Sequence, residues 1–281
     1  MTDTTRSLSQ EPLLLADLSS PETRDLLPHI GLVLVPVGAH EQHGPNIAVS
    51  TDTISADALC RAAAARVGPS VAVAPAVPWG VSWHHLRFAG TIALRPSTLI
   101  AVLEDIVSSL HTHGVRRFLV VNGHGGNSAA ITTAIEQIKH DMGVPLIASV
   151  FGYALIAEQA KMLLPADAIG HGGGDEAALV MAVEPHRAKP SAFAAPRPTG
   201  VQVESAALLR AYGGSLARPY HEVTHNGATG DATSASPQIG RQILDGAARR
   251  LADIIEVVLR EAHAAEETQV GLNGEVAKTR K

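Results

Sequence analysis

The stretch Gly31-Leu-Val-Leu-Val-Pro-Val-Gly38 constrains the fold most. Its apolar run is bounded by glycines and is too short for an ordinary helix, so it reads as a strand. A strand covered on one face alternates apolar and polar residues. This one does not, so both faces are covered, as in parallel or mixed α/β sheets. Val71-Ala-Val-Ala-Pro75, Arg117-Phe-Leu-Val-Val121 and Val144-Pro-Leu-Ile-Ala-Ser-Val150 read the same way. The segments between them carry a helical period. Leu99, Val102, Leu103, Ile106, Val107 and Leu110 form one stripe, with Glu104, Asp105 and Ser108 opposite. Pro96-Ser97 starts that helix and Gly114 stops it. Ile131, Ile135, Ile138 and Met142 form a second stripe, ended by Gly143, and Ile243 to Val258 carries a third, opened by Ser236-Pro237. This alternation predicts an α/β fold, a three-layer α/β/α sandwich around a central, mainly parallel sheet. Ligand sites in such sheets gather at the carboxyl ends of the strands.

The 281 residues are expected to form a single domain over 1–281, with its core at about 30–262 and polar tails at 1–12 and 264–281. Net charge is −5 and pI about 6.3, so neither nucleic acid nor an anionic membrane is expected as partner. Aromatics are only 3%, too few for base-stacking platforms. No apolar run reaches the roughly 18 residues of a membrane span. No apolar segment follows Met1–Arg6, so no signal peptide is expected. One cysteine, Cys60, excludes an intrachain disulfide and fits a reducing, cytoplasmic setting. There are 14 histidines against 4 phenylalanines and 3 tyrosines, which raises the prospect of metal ligation by N and O donors.

Three clusters carry chemistry. Gly38-Ala-His-Glu-Gln-His-Gly-Pro-Asn46 follows the first strand, and Ser50-Thr-Asp-Thr53 follows it. In extended backbone Glu41 and His43 leave the same face and can grip one centre. Asp52 opens the next helix, either as its cap or as a metal ligand. Asn122-Gly-His-Gly-Gly-Asn127 follows another strand. It lacks the lysine and the glycine spacing of phosphate-binding loops, so His124 reads as a ligand, an acid–base group or a satisfied turn residue. Gly170-His-Gly-Gly-Gly-Asp-Glu176 leads into an apolar helix, where Asp175 and Glu176 can also simply complement the helix N-terminus. A fourth stretch, Gly80 to Thr91, reads as an ordinary loop with Trp83 and Phe88 packed inward. Imidazoles and carboxylates without thiolates suit Zn²⁺ or Mn²⁺.

Together these motifs resemble the creatininase (creatinine amidohydrolase) family: Glu41-Gln-His-Gly-Pro with Thr51-Asp52, Ser82…His85…Phe88-Ala-Gly-Thr-Ile92, Asn122 to Asn127, His171-Gly-Gly…Glu176, and Gly227-Ala-Thr-Gly-Asp-Ala-Thr233. The resemblance implies two divalent ions per chain (Zn²⁺ or Mn²⁺, with Fe²⁺ a further option). Glu41, Asp52 and His124 match one ion's ligands, while His43, Asp52 and a further carboxylate match the other's. Creatininase itself carries that carboxylate inside the Asn-Gly-His motif, at the position of Gly126. Relatives with this glycine use the Glu of His-x-x-x-x-Glu, here Glu176. His171 matches the family's catalytic histidine, and Ser82, His85 and Gly125 are expected to contact substrate.

Several positions depart from the family pattern. Gly174 replaces a Glu, and Ala177-Ala178 replace Thr-Ser. Asn46 stands for the usual His. The Trp that packs the creatinine ring is absent from Asp167-Ala-Ile-Gly170, which argues against creatinine as substrate.

The resemblance implies an amidohydrolase acting on a small cyclic or linear amide through a metal-bridged hydroxide, with His171 moving the proton. Alternatives are a cofactor-precursor peptidase, a deformylase, a cyclic-ketone hydrolase, or a metal-binding protein that has lost turnover. Its members form rings or dimers of trimers, so a homo-oligomer, most simply a hexamer, is expected.

Overall fold

The computed structural model describes residues 11–201 and 203–279. Five strands form one sheet: β1 (Leu13–Leu14), β2 (Leu32–Val37), β3 (Val71–Val73), β4 (Arg117–Asn122) and β5 (Leu146–Phe151). Their order is β1-β3-β2-β4-β5. Every pairing between neighbours is parallel, so the sheet is parallel throughout. The helices are α1 (Ser20–Leu26), α2 (Thr51–Val67), α3 (Pro96–Thr112), α4 (Ser128–Met142), α5 (Gly152–Ala160), α6 (Gly174–Val183), α7 (Glu204–Ala211) and α8 (Pro237–Thr279).

The uninterrupted apolar character of β2 has a direct cause. Alternate residues point to opposite faces, and helices cover both. Leu32 and Leu34 join Leu119 and Val121 of β4 against Leu59 of α2, Leu179 of α6 and Ile243 and Leu251 of α8. Val33, Val35 and Val37 join Phe118 and Val120 against Leu99 and Leu103 of α3 and Ile131 and Ile138 of α4. Each such side chain, fully buried, contributes about 1.5–3 kcal/mol of transfer free energy. These two cores are the interfaces between the three layers of a sandwich, with the sheet in the middle.

The topology also fixes where a ligand can sit. β2 is followed by α2 on one face, and β4 by α4 on the other. The two strands are adjacent, paired from Val33–Phe118 to Val37–Asn122. Chain connections therefore diverge at their carboxyl ends and leave a crevice there. The first two histidine-bearing loops leave from those two ends.

The structure corrects four local expectations. Leu13–Leu14 pairs with β3 and α1 follows, so ordered structure begins before residue 30. The polar segment from Ala264 does not end the helix: α8 runs on to Thr279, in keeping with its Ala- and Glu-rich opening. The expected tail at 1–12 falls largely outside the described residues. β5 begins at Leu146, because Pro145 has no N–H for the ladder. Trp83 is 53% exposed rather than packed inward. No described helix is long and apolar enough to cross a membrane.

Candidate metal centre

Residues 38–50 leave β2 and turn back into α2. His43 is fully buried in this loop. Its Nδ1–H donates to the Glu41 carbonyl at 3.0 Å. That leaves Nε2 facing Asp52 Oδ1 at 3.1 Å and Glu176 Oε2 at 3.6 Å. One ring nitrogen tied to a carbonyl and the other free is how metal-binding histidines are oriented. Asp52 is the second residue of α2, with Ser50 at the N-cap. Its carboxylate is directed at His43 and at His124, whose Nδ1 lies 3.3 Å from Oδ2. The helix-cap reading of Asp52 therefore fails.

The loop after β4 supplies His124. Its Nε2 is 3.2 Å from Glu41 Oε2 and 3.2 Å from the Val81 carbonyl. Glu41 is central: Oε1 lies 3.3 Å from His85 Nε2 and 3.5 Å from His171 Nδ1. Glu176, in the first turn of α6, accepts the Gly172 N–H at 2.7 Å. His171 stacks on His43 at a ring-centroid distance of 4.2 Å and on His85 at 4.4 Å.

These residues suit a divalent cation on their own chemistry. Both Glu41 oxygens and Asp52 Oδ2 are buried without an aligned hydrogen-bond donor. A buried carboxylate left in that state is costly unless a cation compensates it. Four overlapping triplets have their ligand atoms within 4.8 Å of one another: Glu41–His43–Asp52, Glu41–His84–His124, His43–His171–Glu176 and Glu41–His85–His171. All donors are N or O. Cys60 sits in the core against α2's neighbours.

Without a cation, protons fill the gap. Burial opposes charge on His43, yet Asp52, Glu176 and Glu41 outweigh it and raise its pKa to about 10. Burial likewise opposes charge on His124, and Glu41 and Asp52 hold it well above the ordinary value. Glu176 is pushed up to about 8, chiefly by burial, with Asp175 and Asp52 adding to it against the pull of His43. Burial, reinforced by the neighbouring imidazoles of His43 and His85, drives His171 well below the ordinary range, so it stays neutral. His85 falls to about 2 through burial and its histidine neighbours.

The sequence-named residues thus converge, with exceptions in detail. Glu41, His85, Asp52, His124, Gly125, His171 and Glu176 line one open cavity of about 400 Å³. Ser82 is fully buried behind His124, with Oγ 3.4 Å from Nε2, and is not among the lining residues. Gly126 has no space for a side chain. A Cβ there would collide with the Val81 carbonyl and His124 Nε2, and would lie 2.9 Å from His84. A carboxylate at this position is excluded sterically, and Glu176 comes from α6 instead. Ala177 and Ala178 are wholly buried packing residues. Asn46 holds the Gly172 carbonyl at 2.7 Å and so steadies the glycine turn that carries His171.

Sequence reasoning missed His84, Tyr153 and Tyr220, which also line the cavity. Tyr220 packs 4.0 Å from the His85 ring and 4.9 Å from His171. It arrives on a short 3-10 turn, Tyr220–Glu222, with no motif around it. His84 could have been suspected, since it adjoins His85 in the fourth stretch.

Fold and site together define an α/β protein with a buried carboxylate–imidazole cluster at the switch point of a parallel sheet. The model of the creatininase (creatinine amidohydrolase) family matches residues 16–255. The chain belongs to the creatininase family. Among curated relatives, a mycofactocin precursor peptide peptidase of Mycobacterium tuberculosis is 37% identical over 115 residues, 38% of this chain and 45% of the relative. The chain therefore spans less than half the length of that relative. Creatinine amidohydrolase of Pseudomonas putida is 29% identical over 170 residues, covering 55% and 65% of the two chains. A solved creatininase superposes with a TM-score of 0.76 at 23% identity, over 88% of this chain and 98% of that one. Creatininase has also been solved in a Zn–Zn form and a Mn form.

Proposed function

We propose that this chain is a metal-dependent hydrolase that cleaves a C–N amide bond of a small cyclic or linear amide. The observation that carries this reading is the wiring of His171. Its Nε2–H donates to the Gln42 carbonyl at 2.6 Å, so Nδ1 keeps its lone pair toward Glu41 at the cation pocket. Glu41, Asp52 and His124 would hold one divalent ion, and His43, Asp52 and Glu176 a second. Such ions, when bound, polarise a scissile carbonyl and acidify water.

The protein's own part is positioning and proton movement. His171, neutral near pH 7, accepts the proton of the attacking water and returns it to the leaving nitrogen. The new C–O bond replaces the C–N bond, and the proton leaves on the amine. His85 and Tyr220 stack against His171 and limit its rotation. Phe151, Tyr153 and Tyr220 give the cavity apolar walls, on which a small planar substrate can rest. Gly125 leaves backbone open to that space.

The peptidase relative supports a second reading, trimming of a peptide. Zn²⁺- or Mn²⁺-loaded protein assayed on lactams, linear amides and short C-terminal peptides separates the two. Turnover of small amides but not peptides supports the first. Turnover of nothing with full metal content would leave a binding protein and refute both. Exposed Trp79, Trp83, Leu86 and Ile92 lie within one segment and support a homo-oligomer, for which a hexamer is favoured. The single buried Cys60 supports a reducing, cytoplasmic compartment.

A further inference from the structure

Gln42 lies between the proposed ligands Glu41 and His43 and is itself buried. Its side chain touches two histidines of the site. Nε2 is 2.8 Å from His85 Nδ1, 3.1 Å from His171 Nε2 and 3.0 Å from the Gly227 carbonyl. Its Oε1 accepts the Gly44 N–H at 2.8 Å. That last contact fixes the amide's orientation. Reversal would set NH₂ against an N–H and an oxygen against a carbonyl oxygen.

An amide NH₂ has two protons to give. One goes to the Gly227 carbonyl, which can only accept. His171 Nε2 cannot take the other, because it stands 2.6 Å from the Gln42 carbonyl and must carry a proton of its own. The second amide proton therefore goes to His85 Nδ1. With Nδ1 accepting, His85 carries its proton on Nε2, 3.3 Å from Glu41 Oε1. One residue thus sets two tautomers, His85 through its side chain and His171 through its backbone carbonyl.

We propose that Gln42 is a positioning residue that fixes the tautomers of His85 and His171, so that His85 carries its proton on the ring nitrogen nearest Glu41 while His171 presents Nδ1 to the cavity. The part concerning His171 rests on the acid–base reading above. Gly227 belongs to the same device. It has φ +85°, and a Cβ there would collide with Gln42 Oε1. The glycine leaves the space that the amide fills.

The experiment is long-range ¹H–¹⁵N NMR of histidine-labelled full chain, zinc-loaded, with metal content measured on the same samples. In the unaltered protein both His85 and His171 should be Nε2–H tautomers. Gln42→Glu keeps the shape but turns the donor into an acceptor. His85 should switch to Nδ1–H, and His171 should keep its tautomer. Gln42→Met, of similar length but with no donor, should leave His85 a mixture. Turnover in both should fall about 10- to 100-fold, the usual cost of losing a residue that orients active-site groups. His85 unchanged in Gln42→Glu, or Nδ1–H in the unaltered protein, overturns the proposal. His171→Ala distinguishes the underlying reading. Unimpaired turnover in that variant sinks the acid–base role, whatever the tautomers of His85 show.

Discussion

His43 Nε2 and Asp52 Oδ1 face each other across 3.1 Å in a pocket where both are buried, and Asp52's other oxygen has no aligned donor. The pair joins the two halves of the site. His43 leads toward Glu176, and Asp52 leads toward His124 and thence Glu41. A carboxylate so placed can serve two cations at once. Asp52→Ala should therefore lose both ions, whereas Glu176→Ala should mainly lose one. Elemental analysis of the purified variants checks this, and an Asp52→Ala protein retaining two ions contradicts it.

Stability should respond to pH in opposite ways with and without metal. Folded, metal-free His43 has its pKa raised from 6.5 to about 10, and Glu176 from 4.5 to about 8. A raised folded pKa contributes stability that is full below the unfolded value and lost as pH rises through the folded one. The depressed pKa values of His85 and His171 act the other way below about 6.5, so His43 and Glu176 weaken the metal-free fold as pH climbs from about 6.5 toward about 10. A bound cation displaces those protons, so its affinity rises over the same range. Above about pH 6.5, Tm of metal-free protein should fall with pH while metal-loaded Tm holds or rises. Calorimetry in buffers of different ionisation enthalpy should show proton release on loading, and heats independent of buffer would contradict it.

His171→Ala should keep its fold and near-full metal content and lose roughly 10²–10⁴ in kcat. The alternative has a structural basis, because His171 lies within 4.8 Å of ligand atoms of His43 and Glu176. Metal loss in step with activity would make His171 a ligand.

Trp79, Trp83, Leu86 and Ile92 are each about half exposed. The Gly80–Ala93 bridge brings the two ends of this segment together. Large apolar side chains gathered in this way commonly mark an interface. Trp83→Glu should shift the assembly to smaller species by sedimentation velocity. A monomer in the unaltered protein at micromolar concentration would refute the hexamer.

The layers of this fold were readable because β2, β4 and their helices announce burial through period alone. The first-loop and glycine-turn residues were readable because unusual side chains cluster there. Tyr220 was not, since it reaches the site from 49 residues beyond His171 through a turn with no signature of its own. The role of Gln42 was hidden for a different reason. A glutamine's partners are set entirely by three-dimensional neighbours, here Gly44, His85, His171 and Gly227.

The crowding around Gly126 makes the choice of carboxylate a ratchet. Once the segment bearing Val81 and His84 has closed over β4's loop, an acidic side chain restored at 126 would have to evict His124 or His84 before it could reach a cation. Gly126→Glu should therefore disable the pocket rather than give it a spare ligand. Grafting the creatininase-type donor into this scaffold calls for rebuilding residues 79–84 first.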